Sequence, residues 1–333
     1  MRKIPELLAP VGGFEQLRAA AENGADAVYM GGMLFNARMN AQHFGGHQLK
    51  EAIRYAHSKG VKVYMTLNTL IKDEEIPAAM EQAEECLQAG ADALIVAELG
   101  IAALLRKNMP QMPLHLSTQA TVCDAAGAME AAALGCSRAV LARETPLAQI
   151  RQIAGESPVP IEVFVHGALC MCYSGQCQMS RFQGGRSGNR GSCAQPCRLP
   201  YELWQRRRLP AGANGPENRW DAGKNEPSGW RKAEDAQTLR SAGYLLSPKD
   251  LCTIDHIGEL AQAGVASLKI EGRMKSPEYV AVVTGIYRTY LDRYQKDGEF
   301  QVSRADREAL QQIFSRGDFT EGYLWGNPRK ALL

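Results

Sequence analysis

The sequence predicts an α/β fold, a TIM-like (β/α)8 barrel that carries a cysteine-rich, arginine-rich insertion. Three observations predict it. Short apolar runs alternate with amphipathic helical stretches along most of the chain, a glycine recurs just before several of those runs, and the runs end in polar residues.

The apolar runs are Glu6–Ala9, Ala27–Gly31, Val61–Asn68, Ala93–Glu98, Leu114–Gln119, Arg138–Arg143, Glu162–His166, Tyr244–Ser247 and Ser267–Glu271. They number nine where a closed ring needs eight, so one of Glu162–His166 and Tyr244–Ser247 is expected to be extra or to pair outside the ring. Segments 48–59 and 76–89 between them have the length and periodicity of surface-packed helices, and 277–296 reads as the helix that closes the barrel. The faint repeat begins at Gly24, Gly90, Gly135 and Gly264. A glycine there suits a helix end that turns through a left-handed conformation. At the downstream ends stand Asn68, Glu98, Ser117, Gln119, Arg143, Glu144, His166, Lys249, Asp250, Glu271 and Arg273. Barrel enzymes assemble their sites from such ends.

These signals divide the chain into a first barrel part (1–166), a cysteine insertion (167–208), a flexible loop rich in Gly, Pro, Asn and charge (209–242), the end of the barrel (243–300) and a tail without assignment (301–333). Formal net charge is +2, so global charge argues for neither nucleic acid nor membrane. No stretch approaches the ~18 apolar residues of a membrane span, and the start lacks a signal-peptide pattern, so the expected location is cytoplasmic, with no membrane partner.

In a reducing compartment the nine cysteines point to metal or catalytic roles rather than disulfides. Cys86, Cys123 and Cys136 lie singly and read as small buried hydrophobes. Five others crowd one segment: Cys170, Cys172, Cys177, Cys193 and Cys197. Soft thiolates select zinc or iron–sulfur clusters. The wide, unequal spacing suits a cluster whose corners diverge, with a structural zinc site as the alternative. Cys172 is the fifth thiol, either a replacement for one of the four or a neighbour of them, and Cys252 is an outside candidate for the fourth ligand in place of Cys197. From Arg181 to Arg208 seven arginines stand against one acid, Glu202, interleaved with Tyr173, Phe182, Tyr201 and Trp204. Arginine forks with aromatics suit RNA phosphates and exposed bases, through Arg186, Arg190, Arg206, Arg207 and Arg208.

The run from Glu162 through Cys170, Cys172 and Cys177 closely resembles the defining motif of the collagenase-like peptidase family U32. The resemblance extends from ELLAPVGG through YLLSPKDL to SLKIEGRMKSPEYV, and GGRSGNRGSCAQPCRLPYEL looks most like the subgroup that hydroxylates cytidine at C5 in ribosomal RNA. Sister subgroups modify a tRNA uridine or, as a paired complex, the ubiquinone ring. The resemblance implies a 4Fe–4S cluster, oxygen-independent RNA hydroxylation and prephenate as hydroxyl donor and co-substrate. It also implies Cys170, Cys177, Cys193 and Cys197 as cluster ligands. The ribosomal subgroup continues beyond the point where this chain stops, which leaves open a protein partner for a short or split form.

His166, four residues before Cys170, is the expected proton-transfer group beside the cluster. Lys269, Glu271 and Arg273 are the other expected catalytic residues, with Lys269 and Arg273 suited to a small dianion. The competing classes are a collagenase-like peptidase and a cluster-bearing partner subunit. The sequence has neither the H-E-x-x-H nor the G-x-S-x-G pattern of common hydrolases.

Overall fold

The computed structural model describes residues 2–39, 43–206, 220–221, 226–227, 230–232, 242–326 and 332–333. They form two compact units, Met1–Ala194 with Pro248–Leu332, and Gln195–Ser247.

The first unit is a closed barrel. Its strands are β1 (Glu6–Pro10), β2 (Ala27–Gly31), β3 (Lys62–Leu67), β4 (Ala93–Val96), β5 (Leu114–Leu116), β6 (Arg138–Val140) and β7 (Ile161–Ala168). Helices α1 (Phe14–Glu22), α2 (Gly46–Ser58), α3 (Ile76–Ala89), α4 (Leu99–Asn108), α5 (Ala125–Ala133) and α6 (Leu147–Glu156) connect them, and α7 (Met179–Gly184) follows β7. The second unit holds β8 (Tyr201–Glu202), β9 (Trp204–Arg206), β10 (Trp220–Asp221), β11 (Glu226–Pro227), β12 (Trp230–Lys232) and β13 (Ala242–Gly243). The chain then returns through β14 (Asp250–Cys252), α8 (Ile257–Gln262), β15 (Ser267–Ile270), α9 (Pro277–Asp297), α10 (Arg304–Ile313) and β16 (Phe319–Thr320).

Strand β15 closes the ring, pairing in parallel with both β1 and β7. The eight-membered ring is therefore β1 to β7 plus β15. Glu162–His166 belongs to the ring and Tyr244–Ser247 is a turn rather than a strand. Outside the ring β16 pairs in parallel with β14, and β14 pairs antiparallel with the far end of β7, Cys252 opposite His166. Sequence reading missed β14 because its three residues, Asp-Leu-Cys, are too few to show a period.

Parallel strands covered on both faces read as continuous apolar runs, and β2 and β4 are buried along their whole length. The main core lies between barrel and helices, where Tyr279, Val283, Tyr287 and Leu291 of α9 are buried. Gly24, Gly90, Gly135 and Gly264 all have positive φ, as the repeat predicts. Side-chain caps start several helices: Glu98 accepts from Gly100 and Ile101, Asp124 from Gly127, and Ser276 from Tyr279.

Inside the ring an apolar layer of Leu8, Tyr29, Tyr64 and Ile95 meets a chain of charges. Glu6 Oε1 lies 2.6 Å from Arg138 Nη1, which lies 3.0 Å from Glu162 Oε2; Glu162 Oε1 lies 2.8 Å from Lys269 Nζ. Burial alone would raise the Glu162 carboxyl, but Lys269, Arg138 and His115 bring it down to about 2.

In the second unit β8 pairs with β13, β9 with β12, and β10 with β11, all antiparallel. The described parts of the expected loop 209–242 are thus short paired strands. The division falls at 195 and 247 rather than at 167 and 242, because the cysteine segment up to Ala194 is bonded to the barrel loops.

Candidate active site

The segment after β7 folds back over the C-terminal mouth of the barrel and is fastened to four of its loops. Met39 N donates to Gly191 O at 3.3 Å and Leu70 N to Asn189 O at 3.1 Å. Thr121 Oγ1 donates to Ser174 O at 2.7 Å, Arg143 N to Ser174 Oγ and Ser174 N to Glu144 Oε1, both at 3.2 Å. Two glycines make the close approach possible. A Cβ on Gly175 would stand 2.1 Å from Gln119 O, and one on Gly191 would stand 2.3 Å from Asn36 O; both have positive φ.

The nine cysteines differ in exposure. Cys86 and Cys136 are buried and Cys123 partly so, in keeping with their reading as packing residues. Cys170 is exposed on the segment, and Cys177 and Cys193 are partly exposed. Ser180 Oγ lies 3.7 Å from Cys193 Sγ and accepts from Ala194 N at 3.0 Å. Cys170 and Cys193 both lie within electrostatic reach of Arg38. Cys197 belongs to the second unit. Cys252 is turned toward Tyr287, 4.0 Å away, and burial pushes its thiol up to about 11. Accessible thiols on a glycine-turned segment are the donors an iron–sulfur cluster takes. Among the described residues no three His, Cys, Asp or Glu side chains stand at metal-binding spacing.

Next to this segment the barrel mouth holds a narrow cleft of about 40 Å³, lined by Tyr29, Arg38, Thr66, Asn68, Ser117, Gln119, Arg143, Phe164, Lys269, Glu271 and Arg273 among others. Glu271 sits at its centre, Oε1 3.2 Å from Arg38 Nη2 and Oε2 2.8 Å from Arg143 Nη2. Burial would raise this carboxyl, but Arg38, Arg143, Lys269 and Arg273 together hold it below the ordinary range. Lys269, expected to meet a ligand, is already paired with Glu162 and lies over the rings of Tyr29 and Phe164.

Arg273 is nearly sealed, at 3% exposure, and its hydrogen bonds go to neutral oxygens: Thr66 Oγ1 and Asn36 Oδ1, both at 3.1 Å. Its Nε and that of Arg143 are buried without a hydrogen-bond partner. Burial pulls Arg273 down to about 10. With Lys269 offset by Glu162, three guanidiniums face one carboxylate, an excess of two positive charges. The side chains of Arg143 and Arg273 are buried and that of Arg38 is partly exposed, and an excess of positive charge in such a place favours an anionic ligand. Arg38 escaped the sequence reading. It lies in the loop after β2, and only the fold shows that this loop bends into the mouth.

His166 is not brought to the cleft. A β-bulge in β7 sets Phe164 opposite Lys269 but His166 opposite Ile270, so the strict alternation breaks. Phe164 faces the cleft, while His166 turns to the helix side. There its ring packs against Tyr279, Tyr287 and Phe319, and burial pulls it down to about 3.

The expected RNA-contacting arginines divide. Arg190 is bound by Glu75 through both nitrogens, at 2.5 and 3.0 Å, and donates to Leu70 O. Arg186 is exposed and donates from Nε to Ser192 O, which leaves its terminal nitrogens for other acceptors. Arg206 ends β9, and Arg207 and Arg208 lie outside the described residues. Among the described residues no helix is long and apolar enough to cross a membrane.

The model of peptidase family U32 matches residues 12–332. The tRNA hydroxylation protein P1 of Bacillus subtilis is 37% identical over 98% of this chain and 72% of its own length. The 23S rRNA 5-hydroxycytidine C2501 synthase of Escherichia coli is 39% identical over 86% of this chain, which spans 39% of that relative. A protein named collagenase from Porphyromonas gingivalis is 36% identical over 96% of this chain and 73% of its own length.

Proposed function

The chain belongs to peptidase family U32, and from that premise we propose that it is an iron–sulfur-dependent enzyme that hydroxylates RNA without oxygen. The proposed target is C5 of a pyrimidine, ribosomal cytidine first and tRNA uridine second, with prephenate as hydroxyl donor. The names of the relatives above support the RNA-hydroxylating class. The observation that carries the reading is the placement of the cysteine segment directly over a cleft with two excess positive charges.

Cys170, Cys177, Cys193 and Cys197 would hold the cluster, which when bound would supply an electron-transfer or Lewis-acid centre at the mouth. The chain's own residues do the rest. Arg273 takes one anionic group of the donor on its unmatched guanidinium, and Arg143 offers a second through its free Nε. Glu271 keeps Arg38 and Arg143 apart and aimed. Lys269, tied to Glu162, carries the aromatic floor of Tyr29 and Phe164 and leaves little room for water. Arg186 and the basic run 206–208 would track RNA phosphates outside the cleft.

A peptidase reading would pair Cys172 with His166. The histidine that would pair with Cys172 is turned between barrel and α9 and held neutral. Anaerobically purified protein should contain about four irons and four sulfides per chain. Zinc without iron in such material would refute the cluster.

A further inference from the structure

Arg38 stands between two groups of different role. On one side its Nη2 meets Glu271 at 3.2 Å. On the other, the thiols of Cys170 and Cys193 lie within reach of its charge. The loop that carries it is fixed at every residue. Asn36 is fully buried and its Oδ1 accepts from Arg38 N at 3.0 Å, while Ala37 N donates to Asn68 Oδ1 at 2.9 Å. Met39 N donates to Gly191 O, two residues before Cys193, and Gly191 itself lies against Asn36 O. The same four residues thus touch the barrel wall and the cysteine segment.

We propose that Arg38 is a positioning charge shared by the anion cleft and the cysteine site, so that it sets the potential of a cluster held there and transmits to it the charge state of the cleft. The inference rests on the iron–sulfur reading. A cluster gains negative charge when reduced, and a nearby guanidinium favours that form. Glu271 offsets the same guanidinium. An anion entering the cleft adds to that offset and disfavours reduction, and by linkage a reduced cluster loosens the anion.

The test is a redox titration of the anaerobic protein, followed by the electron paramagnetic resonance of the reduced cluster. Arg38→Gln should move the midpoint to more negative potential. At the wild-type midpoint the ratio of reduced to oxidised cluster should fall on the order of tenfold, the size expected of one charge at about 10 Å in an effective dielectric near 20. Arg38→Lys should stay close to wild type, which a merely structural role would not explain. Glu271→Gln should move the midpoint the opposite way. An unchanged midpoint in Arg38→Gln, or a shift of Glu271→Gln in the same direction, overturns the proposal. If Arg38→Gln takes up no cluster, the sign of the Glu271→Gln shift decides. A wild-type protein free of iron instead sinks the iron–sulfur reading, and this inference with it.

Discussion

Glu271 meets Arg143 at 2.8 Å with one carboxylate oxygen and turns the other to Arg38, so one acid parts two guanidiniums at the barrel mouth. Neither arginine is neutralised completely, and Arg273 has no acid of its own. That imbalance defines what the cleft can hold.

Arg273→Gln should weaken prephenate binding by about 10- to 100-fold, the loss expected for one buried charge-assisted contact. Isothermal titration of the two proteins measures it. Undiminished affinity in the variant would place the anion elsewhere.

The charge chain inside the barrel should show itself in acid. Glu162 is fully buried and its carboxyl is held down to about 2, from an ordinary value of 4.5. A carboxyl lowered on folding stabilises above its unfolded value and loses that contribution as pH falls toward 2. The shift corresponds to about 3 kcal/mol. Glu162→Gln should destabilise the protein at pH 7 by about 3–5 kcal/mol, because Lys269 and Arg138 lose their partner. Its urea stability should also depend less on pH below 4.5. Equal acid slopes in both proteins would contradict the coupling.

Arg186 and Arg190 should behave differently toward RNA. Arg186→Glu should weaken binding and reduce the salt slope by about one or more. Arg190→Gln should leave the slope unchanged, since Glu75 already occupies that guanidinium. Filter binding across a salt series separates them, and a loss of slope in Arg190→Gln would show that RNA displaces Glu75.

His256 lies between Glu259 and Glu321, and its ring stands edge-on to Trp325 at 5.1 Å. Burial alone would lower its pKa, but the two carboxylates raise it above 6.5. A histidine raised on folding contributes fully below its unfolded value and loses that contribution as pH rises through the folded one. The turn around Glu321 should therefore loosen above pH 6.5, and the imidazole proton resonances of His256 should titrate with a midpoint above that value. A midpoint at or below 6.5 would argue against the clamp.

The barrel was legible because parallel strands buried on both faces leave uniform apolar runs, and because helix ends recur as Gly90 and Gly264. Glu271 and Arg273 were legible as polar residues at a strand end. Arg38 was not, because no periodic pattern marks a loop that folds inward. His166 misled for a definite reason: alternation along β7 predicts an inward side chain, and the bulge beside Ile270 reverses it. Lys269 stands at a strand end, but nothing local marks its partner, since Glu162 lies 107 residues earlier and only closure of the ring brings the two together.

Under the proposed function this chain places a hydroxyl on RNA through its cysteine segment. Nucleoside mass spectrometry of fractionated RNA, from a strain lacking the gene and from strains restored with wild type or Cys193→Ala, tests it most directly. A 5-hydroxypyrimidine should disappear on deletion, return with the wild-type gene and stay absent with the variant. A hydroxylation pattern unaffected by deletion, or restored equally by Cys193→Ala, would contradict it.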